Sequence, residues 1–411
     1  MKYGLIGEHL GYSYSKQIHE RLSGYSYELR EIKPPELEGL IRRGDYLGIN
    51  VTIPYKKAVI PFLHELSPEA ERIGSVNTVV NQAGRLFGYN TDYFGFKSLA
   101  NRAGISFSGS KTLILGSGGT SLTARVVAAD VSAAELVIVS RGGEVNYENV
   151  YGHSDAEIIV NTTPVGMYPN SGGQIIMPER FPRLRGVLDV VYNPLRTNLV
   201  LEARALGIKA SGGLPMLVYQ AARAAELFTG NKVDDDICER VIDEMRRDFQ
   251  SIVLIGMPGS GKTTVGRMLA AQMNREFIDI DERVEKQEGR KISEIFAQRG
   301  EAAFRALEKA CVAEAAGSAG AVIATGGGAV IDAENMRALS RSGRIYYLRR
   351  DINRLPTAGR PLSAGANALE AMYNQRHPLY MDCSDAKIDC NSAIENAVQA
   401  VKEEFYEASG C

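Results

Sequence analysis

The sequence predicts an α/β protein with more than one parallel-sheet domain, and three observations carry that prediction. Short apolar runs alternate with helical patterns along the chain, among them KYGLIG, YLGINVTI, KTLILG, ELVIVS, AEIIVNTT, GVLDVVY, SIVLIG, REFIDID, AVIATGGG and RIYYLR. Strands alternating with helices are the signature of βαβ units. Glycine-rich turns follow two of these runs, KTLILG and SIVLIG, and each leads into a helical pattern. The length of 411 residues has room for roughly two to three cores.

Composition excludes several classes of function. Hydrophobic content is 45% and charged content 23%, ordinary for a globular chain. A net charge of −2 gives no footprint for nucleic acid or an anionic membrane. The cysteines (Cys238, Cys311, Cys383, Cys390, Cys411) are odd in number and scattered, which fits a reducing compartment better than a disulfide framework. MKYGLIGEHLGYSYS lacks the apolar core of a signal peptide, and no apolar run approaches the ~20 residues of a membrane span. The histidines (His9, His19, His64, His153, His377) show no metal-ligand spacing. The expectation is a cytoplasmic enzyme acting on small molecules, with no nucleic-acid or membrane partner.

The strands fall into three groups: up to about residue 100, from 111 to 210, and from 251 onward. The segment DDDICERVIDEMRRDFQ places Ile237, Val241, Met245 and Phe249 at spacings of four, a helix face leading straight into SIVLIG.

GMPGSGKT, Gly256 to Thr263, fits G-x-x-x-x-G-K-[ST] in full. Backbone N–H groups around Gly256, Gly259, Ser260 and Gly261 would converge on phosphate oxygens, with Thr264 in the helix that follows. Lys262 would reach the β/γ-phosphates of ATP, and the Thr263 hydroxyl would ligate Mg²⁺. FIDIDE places Asp279 and Asp281 two apart at a strand end, where one can meet the metal shell and the other an acceptor hydroxyl. Arg305, Gly326, Gly327, Gly328, Arg360 and Arg376 follow in later segments. Three arginines with a D-x-D suggest a small, hydroxylated anion as the acceptor.

In order, GMPGSGKTT, DID, GEAAFR, TGGG, GRPL and R-x-x-L-Y make residues 251 to about 400 resemble shikimate kinase. The resemblance implies that Asp281 binds the shikimate hydroxyls and can act as base, while Asp279 helps hold Mg²⁺. Arg305 and Arg376 would grip the substrate carboxylate, with Gly327 and Gly328 alongside, and Arg360 would close from a lid onto the transferring phosphate. Asp382 stands where family members often carry a longer acid.

LILGSGGTSLTARVVAAD follows the same strand–turn–helix grammar with a G-x-G-G turn, a Rossmann-type pyrophosphate site. The next strand, ELVIVSR, ends in Ser140 and Arg141 rather than an acid. Arginine there accommodates a 2′-phosphate and so favours NADP. Reduction of a carbonyl also needs a proton donor. NVTIPYK offers Lys56 and Lys57, between which spacing does not choose, and GYNTDYFG offers Asp92 as an orienting carboxylate.

S-Y-S, G-I-N-V-T-I-P-Y-K, S-V-N-T, N-T-D-Y-F-G, G-S-G-G-T-S, N-T-T-P-V-G-M, L-D-V-V-Y-N-P and G-G-L-P-M-L-V-Y-Q-A together make residues 1 to about 245 resemble shikimate dehydrogenase. The resemblance implies Lys56 and Asp92 as the catalytic pair. Ser13, Ser15, Thr52 and Tyr192 would bind the carboxylate end of the substrate, and Asn77 and Gln220 its ring hydroxyls. Gly116, Ser117, Gly118, Gly119, Thr120, Ser121, Ser140 and Arg141 would carry NADP, with Met167 and Gly213 near the nicotinamide. Lys16 and Glu20 replace the family's Pro and Asn in SYSKQIHE, and Gly142 ends what is usually N-R-T.

The expected architecture is therefore a two-lobed dehydrogenase over 1–249 followed by a P-loop kinase with a parallel sheet over 250–411. Its substrate lobe would comprise 1–100 and 211–249, and its Rossmann-type NADP lobe 101–210. The expected function is reduction of 3-dehydroshikimate with NADPH, then phosphorylation of shikimate with ATP and Mg²⁺. The alternatives are a sensor built from inactive domains, or a quinate/shikimate dehydrogenase fused to another small-molecule kinase.

Overall fold

A computed structural model describes residues 1–11, 13–355 and 366–408, which fall into two compact units. The first is Met1–Tyr192 with Arg196–Met245, and the second is Asn193–Leu195 with the chain from Arg246 onward.

The first unit holds two sheets. β1 (Tyr3–Gly7), β2 (Glu28–Glu31), β3 (Gly48–Val51), β4 (Glu65–Leu66), β5 (Thr78–Gln82) and β6 (Arg85–Tyr89) line up as β2-β1-β3-β5-β6-β4. This sheet is mixed rather than purely parallel, because β5 runs antiparallel to both β3 and β6. The cause is a tight hairpin at Ala83–Gly84, where both residues take positive φ (50° and 89°). Such a turn matches the twist of paired strands, and Asn81 Oδ1 accepts from the Gly84 N–H at 2.8 Å.

β7 (Lys111–Leu115), β8 (Glu135–Val139), β9 (Ile158–Asn161), β10 (Gly186–Asp189) and β11 (Lys209–Ser211) form an all-parallel sheet in the order β11-β10-β9-β7-β8. It is buried on both faces: Leu113 and Leu115 enter one core and Ile114 the other. That double burial is why these strands read as unbroken apolar runs. Leu115 lies opposite Asn161, so the glycine turn after β7 lands beside Thr162. The helix Leu214–Thr229 then returns to the first sheet, where Phe228 stacks on Tyr3 at 5.4 Å. In the helix Asp235–Phe249 the buried stripe is Cys238, Val241, Ile242 and Met245, with Ile237 and Phe249 half-buried. It is wider than the spacing-of-four face because a core-facing helix buries two adjacent rows.

The second unit has β12 (Ser251–Ile255), β13 (Phe277–Asp279), β14 (Val322–Ala324), β15 (Gly343–Arg349) and β16 (Ala386–Asp389), all parallel in the order β13-β14-β12-β15-β16. Val253 and Ile255 face one core, Ile252 and Leu254 the other. Leu254 and Asp279 both pair with Ala324. This register gathers three strand ends at the carboxyl edge, where open α/β sheets bind ligands.

Candidate active sites

In the first unit Lys56 rides on the short helix Tyr55–Ala58. Tyr55 is buried and its hydroxyl donates to the Ile32 carbonyl, which pins the turn and aims its neighbour. Lys56 Nζ donates to Asp92 Oδ2 at 2.6 Å, with the two side chains 26% and 15% exposed. Lys57 is exposed, so geometry separates the two lysines where spacing did not. Asp92 opens the helix Asp92–Arg102, and just before it Thr91 donates its N–H to Asn77 Oδ1 at 2.7 Å. Asn77 in turn donates to Thr91 Oγ1 at 3.0 Å, and Thr91 Oγ1 reaches Gln220 Oε1 at 3.4 Å. Asn77 and Gln220 are thus joined through Thr91, whose chain neighbour Asp92 holds Lys56. Ser13 and Ser15 bond to each other at 3.2 Å, and Tyr192 meets Tyr14 edge-on at 5.8 Å between ring centroids. Thr52 is half-buried at the end of β3, its N–H bonded to the Ile6 carbonyl. Lys16 and Glu20 approach to 4.0 Å as an exposed i,i+4 pair.

The expected cofactor turn is shaped for close approach. Gly116 has φ +107°, and a Cβ there would sit 2.8 Å from Thr162 Oγ1. Gly118 and Gly119 have nothing within 4 Å of a Cβ position and are exposed with Ser117, at the start of the helix Gly119–Asp130. A bare backbone at a helix N-terminus fits a pyrophosphate. Thr120 is half-buried there, whereas Ser121 is buried on the helix's inner side. Ser140 starts a turn that leaves Arg141 and Gly142 exposed. Met167 is exposed, while Gly213 is buried under the Val190 carbonyl. Near it Asp189 is wholly buried, and desolvation pushes its carboxyl up to about 6 against opposing hydrogen bonds from Thr197, Val191 and Asn161.

The second unit holds a cleft of about 540 Å³ lined by the phosphate loop from Pro258 to Thr264, the start of the helix Ile280–Glu288 and the TGGG strip. Lys262 is buried, and its ammonium donates to the Gly256 and Met257 carbonyls at 2.9 and 3.0 Å. Gly261 takes φ +102° at the helix N-cap, and Ser260 Oγ is buried with no hydrogen-bond partner among the described residues, both consistent with a cradle that a phosphate would complete. Thr263 and Thr264 are exposed in the first turn. Thr263 Oγ1 donates to Asp279 Oδ2 at 2.7 Å, so the hydroxyl and carboxylate expected to hold Mg²⁺ already share one spot. Asp279 also caps the helix Ile280–Glu288 by accepting from the Asp281 and Glu282 N–H groups. Asp281 therefore sits in a helical turn rather than on the strand. Burial pushes its carboxyl up to about 6, the Asp279 charge adds to this, and Lys262 opposes it.

The three glycines each admit a working group. A Cβ at Gly326 would lie 2.6 Å from both Asp281 Oδ1 and Glu308 Oε1, one at Gly327 2.7 Å from Pro258, and one at Gly328 would collide with the Arg305 guanidinium. Arg305 donates to Glu308 at 2.7 Å and Glu301 at 2.9 Å. Arg376, 5% exposed, donates to the Gly327 carbonyl at 3.0 Å, and the Tyr380 hydroxyl donates to the same oxygen. Glu308 was not singled out in the sequence, and Tyr380 only as the end of R-x-x-L-Y. Their signal was helical spacing, since Glu308 lies three residues after Arg305 and Tyr380 four after Arg376. Asp382 is exposed. Arg360 lies outside the described residues.

Comparison with known proteins gives both sites a family. Three family models match: the shikimate dehydrogenase substrate binding domain over residues 5–79, the shikimate 5'-dehydrogenase C-terminal domain over 213–242, and shikimate kinase over 258–406. Shikimate dehydrogenase (NADP(+)) of Clostridium perfringens (strain SM101 / Type A) is 35% identical over 268 residues, covering 60% of this chain and 99% of that protein. The Halothermothrix orenii protein of the same name is 39% identical over 264 residues, 56% of this chain and 91% of its own. Among solved structures, shikimate dehydrogenase 1 from Peptoclostridium difficile matches with TM-score 0.55 at 35% identity, covering 60% of this chain and 98% of its own. A chorismate mutase/shikimate 5-dehydrogenase fusion protein from Clostridium acetobutylicum matches with TM-score 0.57 at 32% identity, over 59% and 96%. The chain belongs to the shikimate dehydrogenase family and carries a shikimate kinase domain behind it.

Proposed function

We propose that this bifunctional enzyme of the shikimate pathway runs two consecutive reactions. Residues 1–249 reduce 3-dehydroshikimate to shikimate, and residues 250–411 phosphorylate shikimate to shikimate 3-phosphate. The observation that carries the reading is that one chain holds both a Lys56–Asp92 pair at 2.6 Å and a cleft where Asp281, Arg305 and Arg376 converge.

NADPH, when bound, supplies the hydride for the first reaction. Lys56 Nζ protonates the oxygen of the ketone being reduced, and Asp92, accepting from Nζ, holds the ammonium on that line. Asn77 and Gln220 orient the ring hydroxyls, and Ser13, Ser15, Thr52 and Tyr192 hold the carboxylate end. Gly116 to Ser121, Ser140 and Arg141 would hold NADP, with Met167 and Gly213 expected on the nicotinamide side. ATP with Mg²⁺, when bound, supplies the phosphoryl group for the second reaction. Asp281 takes the proton of the acceptor hydroxyl, Arg305 and Arg376 grip the carboxylate beside Gly327 and Gly328, and Lys262 and Arg360 neutralise phosphate charge. Thr263 and Asp279 would hold the metal.

We place the enzyme in the cytoplasm with small molecules as its partners. In support, no helix among the described residues is long and apolar enough to cross a membrane. The test is one tube of purified chain with 3-dehydroshikimate, NADPH, Mg²⁺ and ATP, following NADPH loss and ADP release separately. NADPH should fall without ATP, and ADP should appear only once shikimate has formed or been added. Ligand binding with neither signal moving would sink the catalytic reading in favour of a sensor.

A further inference from the structure

Asp189 closes β10 and is wholly buried, and its hydrogen bonds among the described residues go to Asn161, Val191 and Thr197 rather than to a group assigned to chemistry above. Its two oxygens accept three hydrogen bonds from three separate places in the chain. Oδ1 accepts from Asn161 Nδ2 and from the Val191 N–H, each at 3.0 Å, and Oδ2 accepts from Thr197 Oγ1 at 2.7 Å.

Each partner leads to a residue expected at the nicotinamide or the substrate. Asn161 is itself buried and turns its Oδ1 to the Thr163 N–H at 3.0 Å and the Thr163 hydroxyl at 2.7 Å. Thr163 Oγ1 accepts from the Val165 N–H at 3.2 Å, which shapes the turn that ends in Met167. Val191 precedes Tyr192, and its carbonyl accepts from the Gly213 N–H at 2.8 Å. Thr197 backs the same turn, with Cγ2 3.1 Å from the Cβ position of Gly166, which sits at φ +88°.

We infer that Asp189 is a positioning residue of the dehydrogenase reaction, joining the Met167 turn, Tyr192 and Gly213 into one wall facing cofactor and substrate. The inference rests on the dehydrogenase reading of the first unit. A buried carboxylate is retained only where donors satisfy it, and here the donors are the segments that must be held in register. Leucine at 189 would seal the core but leave the Val191 N–H and the Thr197 hydroxyl without their acceptor and Asn161 Nδ2 with only the Val165 carbonyl at 3.4 Å. Asparagine would keep an oxygen for Asn161 and Val191, and the Thr197 hydroxyl can turn to accept from its amide.

The test is steady-state kinetics of the full chain carrying Asp189→Asn or Asp189→Ala, with NADPH and 3-dehydroshikimate each varied and kinase turnover recorded on the same samples. The Ala variant should raise the KM for NADPH about 10-fold and lower kcat/KM about 100-fold, with the Asn variant within about fivefold of wild type. A purely structural role would reduce the active fraction, lowering kcat with KM unchanged, and that pattern overturns the inference. Should the Ala variant not fold, Thr163→Val cuts the relay to the Met167 turn alone. It must raise the KM for NADPH, and an unchanged KM equally overturns the proposal. An inactive wild-type dehydrogenase would instead sink the reading on which the inference rests.

Discussion

The two glycine turns obey one grammar and do different work. Each follows a buried parallel strand and opens a helix, Gly119–Asp130 in the first unit and Lys262–Met273 in the second. GSGGTS is exposed at Ser117, Gly118 and Gly119 and contains no cation. GMPGSGKT folds its own lysine inward, where Lys262 is buried against the Gly256 and Met257 carbonyls. The difference follows from what happens to the phosphate. A cofactor's pyrophosphate needs only to be held, and backbone N–H groups at a helix N-terminus suffice. A phosphate that is transferred gathers charge in the transition state, and a fixed cation must already be waiting. In the first unit the cation proposed to work is Lys56, which another element brings to Asp92.

The largest test of that division exchanges the two lysines' fates. Lys262→Ala should lower kinase kcat by about 10³-fold while dehydrogenase turnover stays within about twofold. Lys56→Ala should do the reverse, lowering dehydrogenase kcat by about 10²- to 10³-fold. Both activities assayed on each variant give the answer. A common loss in either variant would mean that the turns are not separate machines.

How much of this was legible depended on how local the cause is. The strands of the two parallel sheets stood out because double burial makes them continuously apolar, as in LIL and VIV. Both glycine turns were readable as strand–turn–helix units because their signals lie in contiguous residues. The β5–β6 hairpin was not anticipated, since Ala at a positive-φ position is a weak turn signal. Spacing alone could not tell Lys56 from Lys57, which only the resemblance separated, because the local cause is Tyr55 reaching back to Ile32. Asp189 was invisible as a hub for the same reason: its partners Asn161 and Thr197 meet it only after two strands have paired. Glu308 has a local cause and is legible, since it lies one helical turn from Arg305 on the same face.

The units also differ in their histidines, which predicts a difference in acid stability. His19 is wholly buried and stacks on Tyr27 at 4.1 Å, whereas His377 in the second unit is half-buried. Burial pushes the His19 imidazole down to about 3 from an ordinary 6.5, with a smaller opposing contribution from Asn50. The unfolded chain therefore binds this proton first. Stability from His19 is complete above pH 6.5 and is lost as pH falls toward 3. Between pH 7 and 5 the loss should be on the order of 2 kcal/mol. It is read as the change in denaturant midpoint for the transition that NADPH shifts, in wild type against His19→Gln. Equal pH slopes in the two proteins would contradict a neutral buried imidazole.

The smallest expected effect tests the weaker half of the comparison, the turn without a cation. If GSGGTS holds only the pyrophosphate, the choice of NADP over NAD must come from outside it, and Arg141 after β8 is the residue proposed for that. Arg141 is exposed, so salt and water screen its charge and bound its contribution. Arg141→Gln should raise the KM for NADPH about 10-fold, equivalent to about 1.4 kcal/mol, and leave the KM for NADH unchanged. The NADPH penalty should shrink as salt is raised, which an uncharged packing effect would not do. An equal rise for both cofactors would move discrimination elsewhere, and the glycine turn would then be carrying more than pyrophosphate.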